Sequence, residues 1–268
     1  MDWKIFRTVA ALIALLGGSL VLGAASPTAP DCCAIVEIRQ YTLFPGQRDV
    51  LIDLFDRYFI DPQADAGMTI IGEFRVLDDP NRFFWIRGFR SMEARGTSLP
   101  AFYHGAIWKM HHSAANATMV DSDNVLLMRP ASERSGLPIL RGPGADAPEK
   151  QGLLVATIYH PEAPVTGDFV TLFEHQIQPL VERAGAKVIG SYVTEASANN
   201  FPALPVRPIQ SFAWFACYSD EAAYERSQRE VTQDPLWGAI NQRFAELKNY
   251  APPEVWRLAP TLRSRLWC

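Results

Sequence analysis

The chain has 268 residues, 48% of them hydrophobic and 20% charged, with a net charge of −4. That composition belongs to a globular protein with length for one large or two small domains. A slightly acidic balance without any Lys/Arg run removes the electrostatic case for a nucleic-acid partner.

The chain opens on "MDWKIFR", with Lys4 and Arg7, and continues into the charge-free run "TVAALIALLGGSLVLGAA". A short positive region, an apolar run and small residues at its end read as a secretory signal cleaved near Ala25, or as an uncleaved single anchor. The expected location is therefore secreted or periplasmic, or membrane-anchored through residues 1–25 alone. Cysteines stand at 32, 33, 217 and 268. No C-x-x-C pair exists to suggest zinc or thiol redox chemistry. Neighbouring cysteines rarely bridge each other, so unpaired or opportunistically paired thiols are expected.

From residue 33 the chain writes one pattern twice. "AIVEIRQYTL" alternates like a strand, "FPGQ" is a turn, and "RDVLIDLFDRYFIDP" spaces Val50, Leu51, Leu54, Phe55 and Tyr58 as a helix does. "MTIIGEFRVLDDPNRFFWIRGFR" is two strands around the turn "DDPN". A helix capped by Ser91 comes next, then a second helix through Trp108, a polar turn at Asp121–Asn124, and the strand "NVLLMRP". Residues 131–151, rich in Gly and Pro, form a linker. "LLVATIYHP" starts the second round, and "GDFVTLFEHQIQPLVERAG" is its helix. "AKVIGSYVTEA" and "IQSFAWFACY" are strands separated by a loop with Pro202, Pro205 and Pro208. A helix capped by Ser219, a further helix containing Trp237, and the strand "PEVWRLAP" complete it. Trp108 aligns with Trp237, and "VLLMRP" with "VWRLAP".

Residues 33–130 and 152–260 thus each predict the split β-α-β order of a ferredoxin-like unit, with 261–268 as a tail. Four strands with helices on one face leave the other face bare, and an apolar face must be covered. Two such sheets in one chain can cover each other, so the predicted fold is α+β: two tandem ferredoxin-like units closing into a barrel with the helices outside.

Alternation puts Val36 and Ile38 on one face of the first strand and Glu37, Arg39 and Tyr41 on the other; Phe83, Trp85, Arg87 and Phe89 share a face of the third. Two readings stay open. Glu37, Arg39, Tyr41, Trp85 and Arg87 line a cavity between the sheets that holds a small polar or aromatic molecule, or Glu and Arg pair across strands on a partly wet face. Arg39 and Arg87 are the anion-binding choices if a ligand exists. A closed interior filled by Phe83, Trp85, Phe212 and Trp214 would argue against catalysis. Along "FYHGAIWKMHHSAANATMV", His104, Trp108 and His111 share a helical face, with Tyr103 beside them. Seven residues of helix separate the two histidines by roughly 10 Å, too far for one ion without a kink at Gly105. No metal or cofactor is expected. His111 is the candidate acid/base, with Tyr103, His104 and Trp108 as further ligand contacts. "NAT" at Asn116 matches a glycosylation acceptor. Glycine-rich nucleotide loops and the G-x-S-x-G elbow are absent, and His160 and His175 lie in the second copy without acidic company that suggests a triad, so both are read as surface or packing residues.

"EIRQYTLFPGQRDVLIDLF", "RFFWIRGFRSMEAR" and "FYHGAIWKMHHSAANATMVDSDNVLLMRP" together resemble the NIPSNAP family. The resemblance covers Ala34 to Pro130; Leu153 to Pro260 looks like a degenerate second copy without the Pro-Gly and "RGF" elements. It implies the dimeric α+β barrel fold and no particular reaction. The expected function is therefore binding of a small molecule or protein partner through the barrel, with a second copy of the chain as a further candidate partner. The alternative is a monooxygenase-like or other small-molecule enzyme using the barrel cavity with His111 and Arg87.

Overall fold

A computed structural model describes residues 32–139, 152–246 and 252–268. The leader expected at 1–25 and most of the linker lie outside the described residues. The first half runs β1 (Ile35–Leu43), α1 (Arg48–Leu54), a π-type turn (Phe55–Phe59), α2 (Ile60–Asp65), β2 (Thr69–Val76), β3 (Arg82–Phe89), α3 (Met92–Tyr103), α4 (Ala106–Asn116), β4 (Met119–Asp121) and β5 (Val125–Pro130). The second half has the same order: β6 (Leu153–Tyr159), α5 (Gly167–Leu172), a π-type turn (Phe173–Ile177), α6 (Gln178–Arg183), β7 (Lys187–Thr194), β8 (Phe212–Tyr218), α7 (Glu221–Gln233), α8 (Pro235–Glu246) and β9 (Glu254–Pro260). The short edge strand β4 is an addition the sequence did not signal.

All strand pairs are antiparallel. In order β3-β2-β9-β6-β8-β7-β5-β1 they close into an eight-stranded barrel when β1 returns to β3, and β4 extends from the end of β1. The halves join at two seams, Met128 opposite Thr194 and Phe74 opposite Pro260. The alternation of β1 and β3 sends Val36, Ile38, Phe84 and Ile86 inward, where they meet Ile158, Phe215 and Leu258 from the second half. Expelling water from these side chains, at about 25 cal/mol per Å² of apolar surface, is the main force closing the barrel.

The outer faces are buried as well, each beneath its own helices: Tyr41, Phe83 and Trp85 in the first half, Val155, Phe212 and Trp214 in the second. Phe83, Trp85, Phe212 and Trp214, whose filling of the interior would have argued against catalysis, thus lie on the outer faces of the barrel. Ser91 caps α3 as expected, accepting from the Ala94 N–H at 3.2 Å. The cap of α7 is Asp220 rather than Ser219, because its carboxylate reaches the Ala223 N–H at 2.7 Å.

The segments after β5 and β9 also depart from expectation. Leu137, read as linker, and Leu266, read as tail, both insert into the barrel core. They end matching tetrads, Arg134-Ser135-Gly136-Leu137 and Arg263-Ser264-Arg265-Leu266. Each serine hydrogen-bonds the backbone of the strand beside it: Ser135 Oγ donates to Ser191 O at 2.9 Å, and Ser264 Oγ accepts from the Glu73 N–H at 3.2 Å. The returning tail brings Cys268 to β8, with its Cα 5.3 Å from that of Cys217, and the two are disulfide-bonded. Cys32 is bonded to Cys33. Of the two expectations for the cysteines, unpaired or opportunistically paired, the structure shows pairing. Cys33 has room for this because it lies over Gly88, where any side chain would collide with its sulfur.

Candidate functional site

The sheet face that carries Glu37, Arg39, Tyr41, Trp85 and Arg87 does come together as one cluster. It faces the helices of the first half rather than the space between the sheets, because Val36 and Ile38 take the inward positions. Glu37 is fully buried and sits at the centre. Its Oε2 accepts from Arg39 Nη1 at 2.7 Å and Arg87 Nε at 2.8 Å, and its Oε1 from Arg95 Nε at 2.7 Å. Arg95 is a residue that sequence reasoning missed. It comes from α3, and neither its place in a helix nor its distance along the chain pointed to the sheet.

Secondary hydrogen bonds hold the arginines. Arg39 Nε donates to Tyr41 Oη at 2.9 Å; Arg87 Nη1 donates to Gln63 Oε1 at 3.0 Å and Tyr103 Oη at 3.2 Å. The Arg39 and Arg87 guanidiniums lie 5.4 and 5.2 Å from the Trp85 ring, a placement in which the ring's electron density favours a cation. Burial by itself would raise the Glu37 carboxyl, but the charges of Arg87, Arg39 and Arg95 outweigh it and bring the group down to about 2. Burial pushes the Tyr41 phenol up, so it stays protonated.

Three guanidiniums against one carboxylate leave two positive charges unmatched in a group that is at most 1% exposed. Nη2 of Arg95 is buried without a hydrogen-bond partner. Next to the cluster lies a small cavity of about 20 Å³, walled by Tyr41, Phe55, Phe59, Gln63, Trp85, Tyr103 and Trp108, among others. A space that size admits one water. The π-type turn contributes both Phe55 and Phe59 to it; such insertions re-aim side chains and recur at functional sites.

Tyr103 and Trp108 therefore reach this site, but the histidines do not enter the charged cluster. His111 stacks on Tyr58 with ring centroids 3.9 Å apart and meets Phe59 edge-on. His104 is exposed and tilts against Phe201 at 6.2 Å. Among the described residues, no group of three His, Cys, Asp or Glu side chains is placed to hold a metal ion. Asn116 is the exposed last residue of α4.

The second half corrects one reading. His160 does have acidic company: its Nδ1 lies 3.0 Å from Ser211 Oγ and its Nε2 3.3 Å from Glu254. This is the order of a nucleophile relay. Ser211 is fully buried, however, and its backbone is tied to Thr194. Its hydroxyl has no approach for a carbonyl carbon, so the trio acts as a brace whose serine is buried and whose His160 and Glu254 are partly exposed.

The NIPSNAP family model matches residues 36–133. No curated protein matches the chain. Among solved structures, a candidate monooxygenase from Fusobacterium nucleatum superposes with a TM-score of 0.50 at 10% identity, over 84% of this chain and 91% of that one. An anthrone oxidase-like protein does so with a TM-score of 0.50 at 13% identity, over 84% and 91%. A NIPSNAP family protein from Agrobacterium tumefaciens is 21% identical over 36% of this chain and 91% of its own, with a TM-score of 0.34. At such identities the two long superpositions establish a shared barrel fold and leave the chemistry open. Residues 36–133 form a NIPSNAP domain.

Proposed function

We propose that this chain, with its NIPSNAP domain in the first half, binds a small organic anion with an aromatic body between the first sheet and its helices. Arg87 and Arg95 are its cationic grip, and Tyr41, Trp85, Tyr103 and Trp108 its aromatic walls.

One observation carries the reading. Strand register places Val155 and Ala216 opposite each other in the second half, where the first half pairs Glu37 with Arg87. Thr157 opposite Trp214 likewise corresponds to Arg39 opposite Trp85. The second half builds the same layer without the charges, so the fold does not require them. Removing charges from water costs several kcal/mol per ion. A surplus of buried cations therefore supports a role beyond packing, and an anion is the species that would balance it. Export is part of the proposal; the positive start and charge-free run of the leader and the pairing of Cys217 with Cys268 support it.

The barrel interior, first expected to hold the ligand, is packed with apolar side chains. The water-sized cavity means that a ligand enters by moving a cover. Calorimetric titration of the full chain with 4-hydroxybenzoate and with its uncharged methyl ester tests the proposal. The acid should bind at least about tenfold more tightly than the ester, the worth of a charge-assisted hydrogen bond. Equal affinities, or no binding of the acid, would overturn it.

A further inference from the structure

On the far side of the arginine cluster lies a groove of about 690 Å³, along the seam where β5 meets β7. It is roofed by the loop between β7 and β8, and both halves line it. Its volume is that of an ordinary small-molecule site. Resting on the reading above, we infer that this groove is the vestibule of the anion site, and that Asn199, Asn200 and Phe201 are the gate between the two.

That stretch of loop stands between groove and cluster, beside Leu127, which lines the groove and lies opposite Glu37 in the sheet. Asn199 lines the groove, and its Oδ1 accepts from Arg95 Nη1 at 3.0 Å. Asn200 is exposed to solvent, yet its Oδ1 accepts from the same nitrogen at 2.6 Å. Two amide oxygens thus share Arg95 Nη1 while the neighbouring Nη2 has no partner, so a carboxylate that displaced them would take both nitrogens as a fork. Phe201 is buried on the first half, stacked on Tyr103 with centroids 5.9 Å apart. Tyr103 in turn holds Arg87. The gate therefore contacts two of the three arginines, one directly and one through a ring.

The groove selects for the same charge. Arg129, about half exposed, and Arg207 line it, and the Glu195 carboxylate lies 3.9 Å from Arg129. Arg207 donates to Asn124 Oδ1 at 3.1 Å and stands 4.0 Å from Glu254. Two guanidiniums at the mouth and a cationic surplus behind the gate draw anions inward. Pro202, Pro205 and Pro208 stiffen the loop, so it moves as a unit about its ends. The corresponding turn in the first half, between β2 and β3, is the short "DDPN". The second half thus supplies a long loop over the site of the first, and receives none in return.

The test locks the gate. A Cβ at Gly96 would lie 3.3 Å from Asn200 Cγ, within reach of a bridge between cysteines at the two positions. Association of 4-hydroxybenzoate is measured by stopped-flow tryptophan fluorescence on the full-length Gly96→Cys/Asn200→Cys variant, oxidised and reduced, with the unsubstituted chain under both conditions as control. Oxidation should slow association at least tenfold, roughly what holding back one charge-assisted hydrogen bond amounts to, and reduction should restore it. Equal rates with the bridge verified by mass would overturn the gate. Asn200→Ala leaves the native cysteines alone and should speed association by about tenfold; an unchanged rate counts equally against the gate. If the unsubstituted chain fails to bind the acid, the anion-site reading falls and takes the gate with it. If it binds and the lock has no effect, the gate alone falls.

Discussion

Replacing Glu37 by Gln keeps the shape of the side chain and removes the charge that three guanidiniums share. Two lines give the size of the effect. The carboxyl is held at about 2 against an ordinary 4.5, which at ~1.4 kcal/mol per pH unit is about 3 kcal/mol. Breaking a buried ion pair by removing one partner costs about 3–5 kcal/mol. Urea unfolding at pH 7 should therefore show Glu37→Gln destabilised by about 3–5 kcal/mol. The contribution is present above pH 4.5 and is lost as the pH falls toward 2, so the gap between variant and parent should close in that window. The four-fold variant Glu37→Leu/Arg39→Met/Arg87→Met/Arg95→Met should behave oppositely, because an apolar replacement of a whole buried ion cluster is neutral or stabilising by about 1–4 kcal/mol. It should fold and lose all affinity for 4-hydroxybenzoate. A loss below about 1 kcal/mol for Glu37→Gln would refute the premise that unmatched buried charge is costly here, and a four-fold variant less stable than the single one would refute the view that the cluster serves binding rather than folding.

Three further outcomes are expected. Glu73 is 1% exposed with neither carboxylate oxygen hydrogen-bonded, and burial, then the neighbouring Asp56, push it up to about 8 despite Arg263. The folded chain keeps this proton where the unfolded chain has lost it, so stability falls as pH rises from 4.5 to 8; Glu73→Gln should abolish that fall and gain roughly 3–5 kcal/mol at pH 9, read by denaturant titration. Cys268→Ser opens a disulfide that spans 51 residues of sequence, and should cost about 2–4 kcal/mol by thermal or urea unfolding, with Trp267 becoming more solvent-accessible. His111→Ala removes a ring stacked on Tyr58 and should change the affinity for 4-hydroxybenzoate less than about twofold, since the imidazole meets aromatic rings rather than the arginines.

The element order was legible because each strand alternates and each helix has its apolar period. Alternation also grouped Glu37, Arg39 and Tyr41, and Trp85 with Arg87. It could not say which group faces the barrel, because both faces of this sheet are buried, one against the other half and one against helices. Charge suggested a cavity, yet Val36 and Ile38 fit a closed interior better. Contacts between distant parts of the chain were hidden for a plainer reason. Arg95 meets Asn200 across 105 residues, and Glu73 meets Ser264 across 191; local periodicity carries no record of such pairs. The prolines at 202, 205 and 208 marked a long loop, but nothing in them showed that Phe201 stacks on Tyr103. The matching tetrads at 134–137 and 263–266 were visible in the sequence, hidden only by being read as linker and tail.

A crystal structure of the chain grown with 4-hydroxybenzoate tests the account most directly. The carboxylate should lie about 3 Å from the guanidiniums of Arg95 and Arg87, with Asn199 and Asn200 turned away from Arg95 and the phenol ring against Trp85 or Trp108. A ligand seated inside the barrel or elsewhere on the surface, with both asparagines still on Arg95, would contradict it.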